Sequence, residues 1–306
     1  MKKKIILLLL VLPAFLFAQL RFINPVGPTL VPIAQLLSSD ISSEVPGLQI
    51  SLWRSVDEAI SSIVGRKAEI SLLPVTVGAK LASTGIDIKL AAISMWNGFY
   101  FISSEKEIKT VEDLRGYDIY TLQAPGQTAD IILKGAAEAK GLKAGRDFGT
   151  VYVGGAEAVQ LLATGRAKII LVPEPFATLA QTRVQGAKRS MPIEELWSTF
   201  NEDSIDIPTS GLFVAGTVDR DIVDMFLLLY SQSMSLSLAD RAGTAAIVSE
   251  RMGGFPIPVL EKAIEGIGFR FVPAGEARRE VEIYLEKLGE LDPELTGDVD
   301  LDDFFY

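Results

Sequence analysis

The sequence predicts an α/β protein of two lobes, each a mainly parallel sheet flanked by helices, with the second lobe inserted in the first and two crossing strands as the hinge. Three observations carry this. Between residues 20 and 94 three strand-helix units follow one another, a spacing that needs a parallel sheet. The same rhythm restarts near residue 110, after a break at Asn97-Gly98. One late strand, residues 209–215, has no helix of its own in the second unit and so reads as the chain crossing back.

The elements follow in order. Residues 20–23 form a strand ending in Asn24-Pro25-Val26-Gly27-Pro28-Thr29, and residues 31–37 a helix whose early Pro32 suits a first turn. Residues 48–53 alternate as a second strand. Ser55-Val56-Asp57-Glu58 starts a capped helix that runs to Gly65. Residues 68–73 form a third strand stopped by Pro74, residues 76–83 a helix, and residues 88–94 a fourth strand. Residues 99–103 follow as a strand and Glu105-Lys106-Glu107 as a charged surface. In the restarted unit Asp113-Leu114-Arg115-Gly116 turns, residues 117–122 run as a buried strand, residues 123–127 break the pattern, and a helix runs from Thr128 to a stop at Gly141. Residues 150–153, the Gly154-Gly155 loop and a helix over 156–163 repeat the unit. So do residues 168–172, Pro173-Glu174-Pro175-Phe176 and a helix over 177–185. Residues 196–206 look irregular. After the strand at 209–215, the pattern is helical over 219–238, 241–252, 258–267 and 274–288, and these helices are expected on the first lobe. Asp298, Asp300 and Asp302 alternate in the acidic tail as in a calcium loop, but Asp303 stands where such a loop needs glycine, so a solvated tail is expected. The expected organisation is residues 1–18 as a leader, 19–97 with 209–290 as the first lobe, 98–208 as the inserted lobe and 291–306 as the tail.

Composition sets the address. The chain has 306 residues, 48% of them hydrophobic, enough for one or two domains with full cores. Met1-Lys2-Lys3-Lys4 and the apolar run over residues 5–17 have the form of a secretory signal, with Ala18 at the cleavage site before Gln19. That run is too short to span a membrane, and no later window reads as a spanning helix. With no cysteine there is neither a lipid-modified cysteine nor a disulfide, so a freely soluble periplasmic protein is expected. Without the three leader lysines, 26 basic residues face 39 acidic ones, a net charge of −13 that argues against nucleic acid or an anionic membrane as partner.

The absence of His and Cys removes Ser-His-Asp and cysteine nucleophile chemistry and the usual zinc sites. No G-x-S-x-G, P-loop or G-x-G-x-x-G is present. Ser103-Ser104-Glu105-Lys106 fits S-x-x-K but lies in a charged turn without companion motifs. A non-enzyme without cofactor or metal is therefore expected, with carboxylate-only catalysis as the remaining enzymatic alternative.

Several segments together resemble the periplasmic substrate-binding proteins of the nitrate/sulfonate/thiamine-precursor type (NMT1/THI5-like, SsuA-like). They are Ala68-Glu69-Ile70-Ser71-Leu72-Leu73-Pro74, Val111-Glu112-Asp113-Leu114-Arg115-Gly116, Gly141-Leu142, Ala158-Val159-Gln160-Leu161-Leu162-Ala163-Thr164-Gly165 and Pro173-Glu174-Pro175. The resemblance rests on their order and spacing, since each alone is a short α/β turn. One departure is Lys168, where the family usually has an acidic residue before the Glu-Pro strand. The resemblance implies a type II periplasmic-binding fold that closes on a small-molecule ligand and docks, as a monomer, on the permease and ATPase subunits of an ABC transporter. A periplasmic sensor for a membrane receptor shares that fold and remains an alternative.

In such a fold the strand-end loops face the cleft, which makes the candidates explicit. In the first lobe they are Asn24, Gly27, Trp53, Pro74 and Thr76, with Trp96 and Asn97 at the hinge. In the second they are Gln123, Gly126, Gln127 and Thr128, then Gly154 and Gly155, then Glu174. Trp53 and Trp96 are flat surfaces on which a ring can stack. The Gln123 to Thr128 loop precedes a helix whose first N–H groups have no partner in the helix. A carboxylate between two prolines, Glu174, either meets an amino group of a ligand or caps the next helix. This set favours a small flat, polar or amine-bearing molecule, with a sulfonate or other anion on the helix N-termini and Arg54 as the alternative.

Overall fold

A computed structural model describes residues 20–38, 47–122, 125 and 127–306. The leader and the candidates Gln123 and Gly126 lie outside the described residues.

Strand β1 (Leu20–Pro25) leads into a 3-10 turn at Pro28–Leu30 and a one-turn helix α1 (Ala34–Leu37), instead of one helix over 31–37. Pro28 and Pro32 each lack an N–H donor, which breaks that segment into two pieces. Then come β2 (Leu48–Trp53), α2 (Val56–Val64), β3 (Ile70–Pro74), α3 (Val75–Ser83) and β4 (Ile88–Trp96). As expected, Ser55 caps α2, its hydroxyl accepting from the Glu58 N–H at 3.3 Å. The inserted part contains β5 (Phe99–Ser103), β6 (Asp118–Thr121), α4 (Thr128–Ala139), β7 (Gly149–Tyr152), α5 (Gly155–Ala163), β8 (Ile169–Pro173), α6 (Phe176–Arg183), β9 (Lys188–Pro192) and α7 (Ile193–Trp197). The chain returns through β10 (Pro208–Ala215) to α8 (Arg220–Ala239), α9 (Arg241–Arg251), α10 (Ile257–Ile264), β11 (Gly268–Pro273), α11 (Arg278–Leu291), α12 (Pro293–Thr296) and α13 (Leu301–Phe304).

The strands form two sheets, a six-stranded one ordered β11-β4-β10-β3-β1-β2 and a five-stranded one ordered β7-β6-β8-β5-β9. β1 is parallel to β2 and β3, and β6 to β7 and β8, while β10 is antiparallel to both β3 and β4 and β5 to both β8 and β9. The crossing strands β5 and β10 are thus the reversed members of otherwise parallel sets, with β11 reversed at the edge. Each starts where its neighbours finish, Phe99 beside Pro173 and Ser210 beside Pro74. Both crossings therefore lie at the carboxyl ends of the parallel strands.

The crossings are tied to each other. The Asn97 N–H donates to the Ile207 carbonyl at 2.9 Å, the Ile207 N–H donates to Asn97 Oδ1 at 2.7 Å, and Asn97 Nδ2 donates to Asp206 at 3.0 Å. Asn97 and Gly98 both have positive φ, 53° and 94°, so a residue tolerant of the left-handed region is needed here.

On one face of the first sheet Phe22 packs on Phe226 (ring centroids 5.0 Å apart), and Tyr230 meets Ser94 through a 2.6 Å hydroxyl contact. Helix α8, despite the absence of a spanning window expected above, is long and apolar enough by composition to cross a membrane. Here Val223, Phe226, Tyr230 and Met234 are buried in the first lobe's core.

Several expectations change. β9 and β11 are edge strands that the sequence pattern missed, β9 because Lys188-Arg189-Ser190 is polar, β11 because its Phe269-Arg270-Phe271 alternation is short. Residues 196 and 197, expected to begin an irregular stretch, instead end helix α7. The late helices do not pack on the first lobe alone. Tyr284 of α11 shares a 3.0 Å hydroxyl contact with Thr128 and lies 5.8 Å from the Trp197 ring, and Val259 of α10 belongs to the second lobe's core. The tail is not a solvated extension either. Phe304 is 1% exposed and packs on Phe213, Phe305 bridges Leu90 in parallel, and the Tyr306 N–H donates to the Leu90 carbonyl at 2.9 Å. Asp292 and Asp300 cap α12 and α13 through the N–H groups two residues on, so two of the tail's aspartates are helix caps.

Candidate functional site

The candidate site is the cleft between the carboxyl ends of the two parallel sets. In the first lobe, β1 and β2 pair so that Pro25 lies beside Trp53. Asn24 is fully buried, its Nδ2 donating to the Pro25 carbonyl (2.9 Å) and to Thr29 Oγ1 (3.4 Å), while its Oδ1 has no partner. Trp53 is 8% exposed and its indole N–H is also unpaired. Buried polar atoms almost always find a partner, so an orphan acceptor and an orphan donor at neighbouring strand ends are unusual. Pro74 stands before α3 and Thr76 in its first turn; Gln127 and Thr128 occupy the same places at α4. These four residues line one groove of about 240 Å3, with Val56, Lys80 and Glu294 on its walls. Residues 74–76 of one lobe and 127–128 of the other are thus brought together across the cleft mouth.

Other candidates are placed differently. Trp96 is 2% exposed, donates its indole N–H to the Arg270 carbonyl at 3.0 Å and lies under the Arg270 guanidinium at 4.6 Å, so it packs into the first lobe instead of lining the cleft. Asn97 is taken up by the hinge contacts. Gly155 offers no open approach, since a Cβ there would lie 2.6 Å from the Phe176 ring, whereas Gly154 is exposed with open space beside it. Gly27 is buried and extended.

Glu174 is the sharpest correction to the amine-binding expectation. It is 1% exposed, follows β8 and joins Pro175 through a cis peptide. Its carboxylate accepts from Thr178 N and Thr178 Oγ1, both at 3.0 Å, and pairs with Arg189. It is the cap of α6, with its charge already answered.

The residues around it were not legible as site residues. Arg189 stacks over the Tyr100 ring at 3.5 Å, and the Tyr100 hydroxyl donates to the Gly266 carbonyl of the first lobe at 2.8 Å. A seam between the lobes is built there, completed by Phe176 and Phe255, whose rings meet at 5.8 Å. Burial pushes the Tyr100 hydroxyl's pKa up, against the pull of Arg189, which keeps it a neutral donor. On the other side of the second lobe, Asp130 in the first turn of α4 is 1% exposed, accepts from the Tyr152 hydroxyl at 2.8 Å and pairs with Lys134 at 2.6 Å. Burial, then Asp130, raise the pKa of Tyr152, whose ring at the end of β7 is 36% exposed. The i,i+4 spacing of Asp130 and Lys134 was a usable sequence signal for this pair.

The fold is that of two-lobed periplasmic binding proteins. Among solved structures, an ABC transporter protein from Parabacteroides distasonis matches with a TM-score of 0.78 and 20% identity, covering 94% of this chain and 98% of that one. The periplasmic aliphatic sulphonate binding protein SsuA from Escherichia coli matches with a TM-score of 0.72 and 15% identity over 94% of this chain and 92% of that one. The alkanesulfonate-binding protein SsuA from Xanthomonas axonopodis pv. citri, bound to MOPS, gives 0.69 and 18% over 94% and 98%. No protein-family profile matches the sequence, and no curated protein sequence matches it.

Proposed function

We propose that this chain is the solute-binding component of an ABC importer. Exported to the periplasm with residues 1–18 removed, it takes a small molecule in the interlobe cleft and presents it to a membrane permease. Residues 19–97 and 209–290 act as one jaw and residues 98–208 as the other. The observation that carries this is the placement of both crossings at the carboxyl ends of the parallel strands, where Pro74 and Thr76 face Gln127 and Thr128 across one groove. Two lobes between which the chain passes only there can close around a solute by bending at a few residues. The chain has no His or Cys, which supports solute binding over catalysis, with carboxylate-only chemistry as the enzymatic alternative.

The chain has no cysteine, so two labels can be introduced cleanly. Cysteines at exposed Glu58 and Glu157, one on each lobe, carry a fluorescent pair. A small-molecule filtrate of yeast extract is expected to shorten their separation saturably. A separation that no filtrate changes, with the protein folded, overturns closure on a solute.

A further inference from the structure

If the cleft captures a solute, the charges built around it restrict what that solute is. Helix N-termini attract anions, and the second lobe aims several at the cleft. One of these ends is already occupied by a buried carboxylate of the chain itself, and a second has one within its first turn. Glu174 sits on the first turn of α6, bonded to Thr178, and Asp130 sits in the first turn of α4 beneath Tyr152. An incoming anion at either end would meet a negative charge where the helix end alone would have welcomed it.

Three of the cations nearby are answered as well. Arg189 is paired with Glu174 and Lys134 with Asp130. Arg270 is paired with Asp206 at 3.0 Å while covering Trp96. Arg54, at the end of β2, is exposed, with the Glu58 carboxylate on its backbone N–H at 2.9 Å and no side-chain ion pair among the described residues. Lys80 lines the groove that Glu294 also lines. Arg189, Lys134 and Arg270 thus each have a carboxylate partner, Lys80 shares its groove wall with Glu294, and the unpaired buried groups at the first lobe's strand ends are neutral: the orphan Asn24 acceptor and the orphan Trp53 donor.

We propose that the solute captured here carries no net negative charge and is an uncharged, zwitterionic or cationic small organic molecule, in contrast to the sulfonates bound by two of the structural neighbours. This rests on the solute-capture function above, and the experiment separates the two. The small-molecule filtrate of yeast extract is split on an anion exchanger into flow-through and salt-eluted anions, and each is desalted. Thermal unfolding of the chain from residue 19 onward is then followed with each fraction, and with 10 mM nitrate or ethanesulfonate against chloride at about equal ionic strength. The flow-through is expected to raise Tm saturably by roughly 5 °C at high occupancy. The eluted anions, nitrate and ethanesulfonate are expected to leave Tm at the chloride value. A saturable rise with any of these anions overturns the proposed charge class and leaves solute capture standing. No rise with either fraction overturns solute capture, and the charge class with it.

Discussion

Replacing Glu174 with alanine separates a structural carboxylate from a ligand-binding one. Both oxygens are engaged, by Thr178 N, Thr178 Oγ1 and Arg189, at a residue 1% exposed. Alanine removes a first-turn acceptor from α6, a loss of about 1 kcal/mol for caps of this kind. It also leaves the Arg189 charge without its partner. Breaking a fully buried pair costs ~3–5 kcal/mol, but the Arg189 side chain is 25% exposed and keeps its stacking on Tyr100, so the lower end applies. The two losses share one carboxylate and do not add, which leaves about 3 kcal/mol in all. For a chain of this size that lowers Tm by roughly 6–12 °C. Urea unfolding with an unchanged slope, together with calorimetry, measures it. Glutamine keeps one acceptor oxygen and should lose a smaller part. An alanine variant that unfolds at the wild-type midpoint while losing solute binding would refute the structural role assigned to this carboxylate.

Three other perturbations follow from packing and charge. Phe304→Ala, which empties the contact with Phe213 at the very end of the chain, is expected to cost ~3 kcal/mol in urea unfolding; Asp302→Asn, at a side chain 98% exposed, is expected to stay within about 0.5 kcal/mol. Gly78→Ala improves helix propensity by ~1 kcal/mol but drives a Cβ into the Phe213 ring, at a cost of about 1–3 kcal/mol, so a lower midpoint is expected and a raised one would contradict the packing. Glu194 has its carboxyl pKa pushed up by burial, with Asp206 adding to the effect, and its Oε2 is buried without a partner. A carboxyl raised above its unfolded value favours the folded state only while protonated, and that contribution is lost as pH rises through the folded pKa. Glu194→Gln is therefore expected to be more stable than wild type at pH 7, with the gap closing toward about pH 4; denaturant midpoints at both pH values check it.

Most of the fold was legible because its signals are local. The strands β1, β3 and β4 declare themselves by apolar runs that stop at Pro or Asn-Gly, β2 by its alternation, and the hinge by Asn97-Gly98, whose positive φ values only such residues adopt easily. The misses share a different cause. β9 is polar because it lies at a sheet edge, so its pattern carries no buried face. The tail's aspartates looked like solvation or a failed metal loop because capping depends on helices only one turn long. In the site, the strand-end loops were found but not their occupancy. Glu174 is answered by Arg189 fifteen positions on, and Trp96 by Arg270, 174 positions on. Those pairings arise from which strands become neighbours, information that no window of sequence contains.

The position of Phe305 against Leu90 bears on when the protein can finish folding. The first sheet has β2, close to the amino end, on one edge, and β11 on the other, with the last residues completing the rung beside β4. An emerging chain cannot complete that sheet until β10 and β11 have been released, whereas β5 to β9 form an uninterrupted segment that can complete its own sheet first. Synthesis thus delivers the strands of the inserted lobe ahead of the last strands of the lobe around it, and contacts of such large sequence separation form slowly. Until then β3 and β4 remain without their antiparallel partner β10.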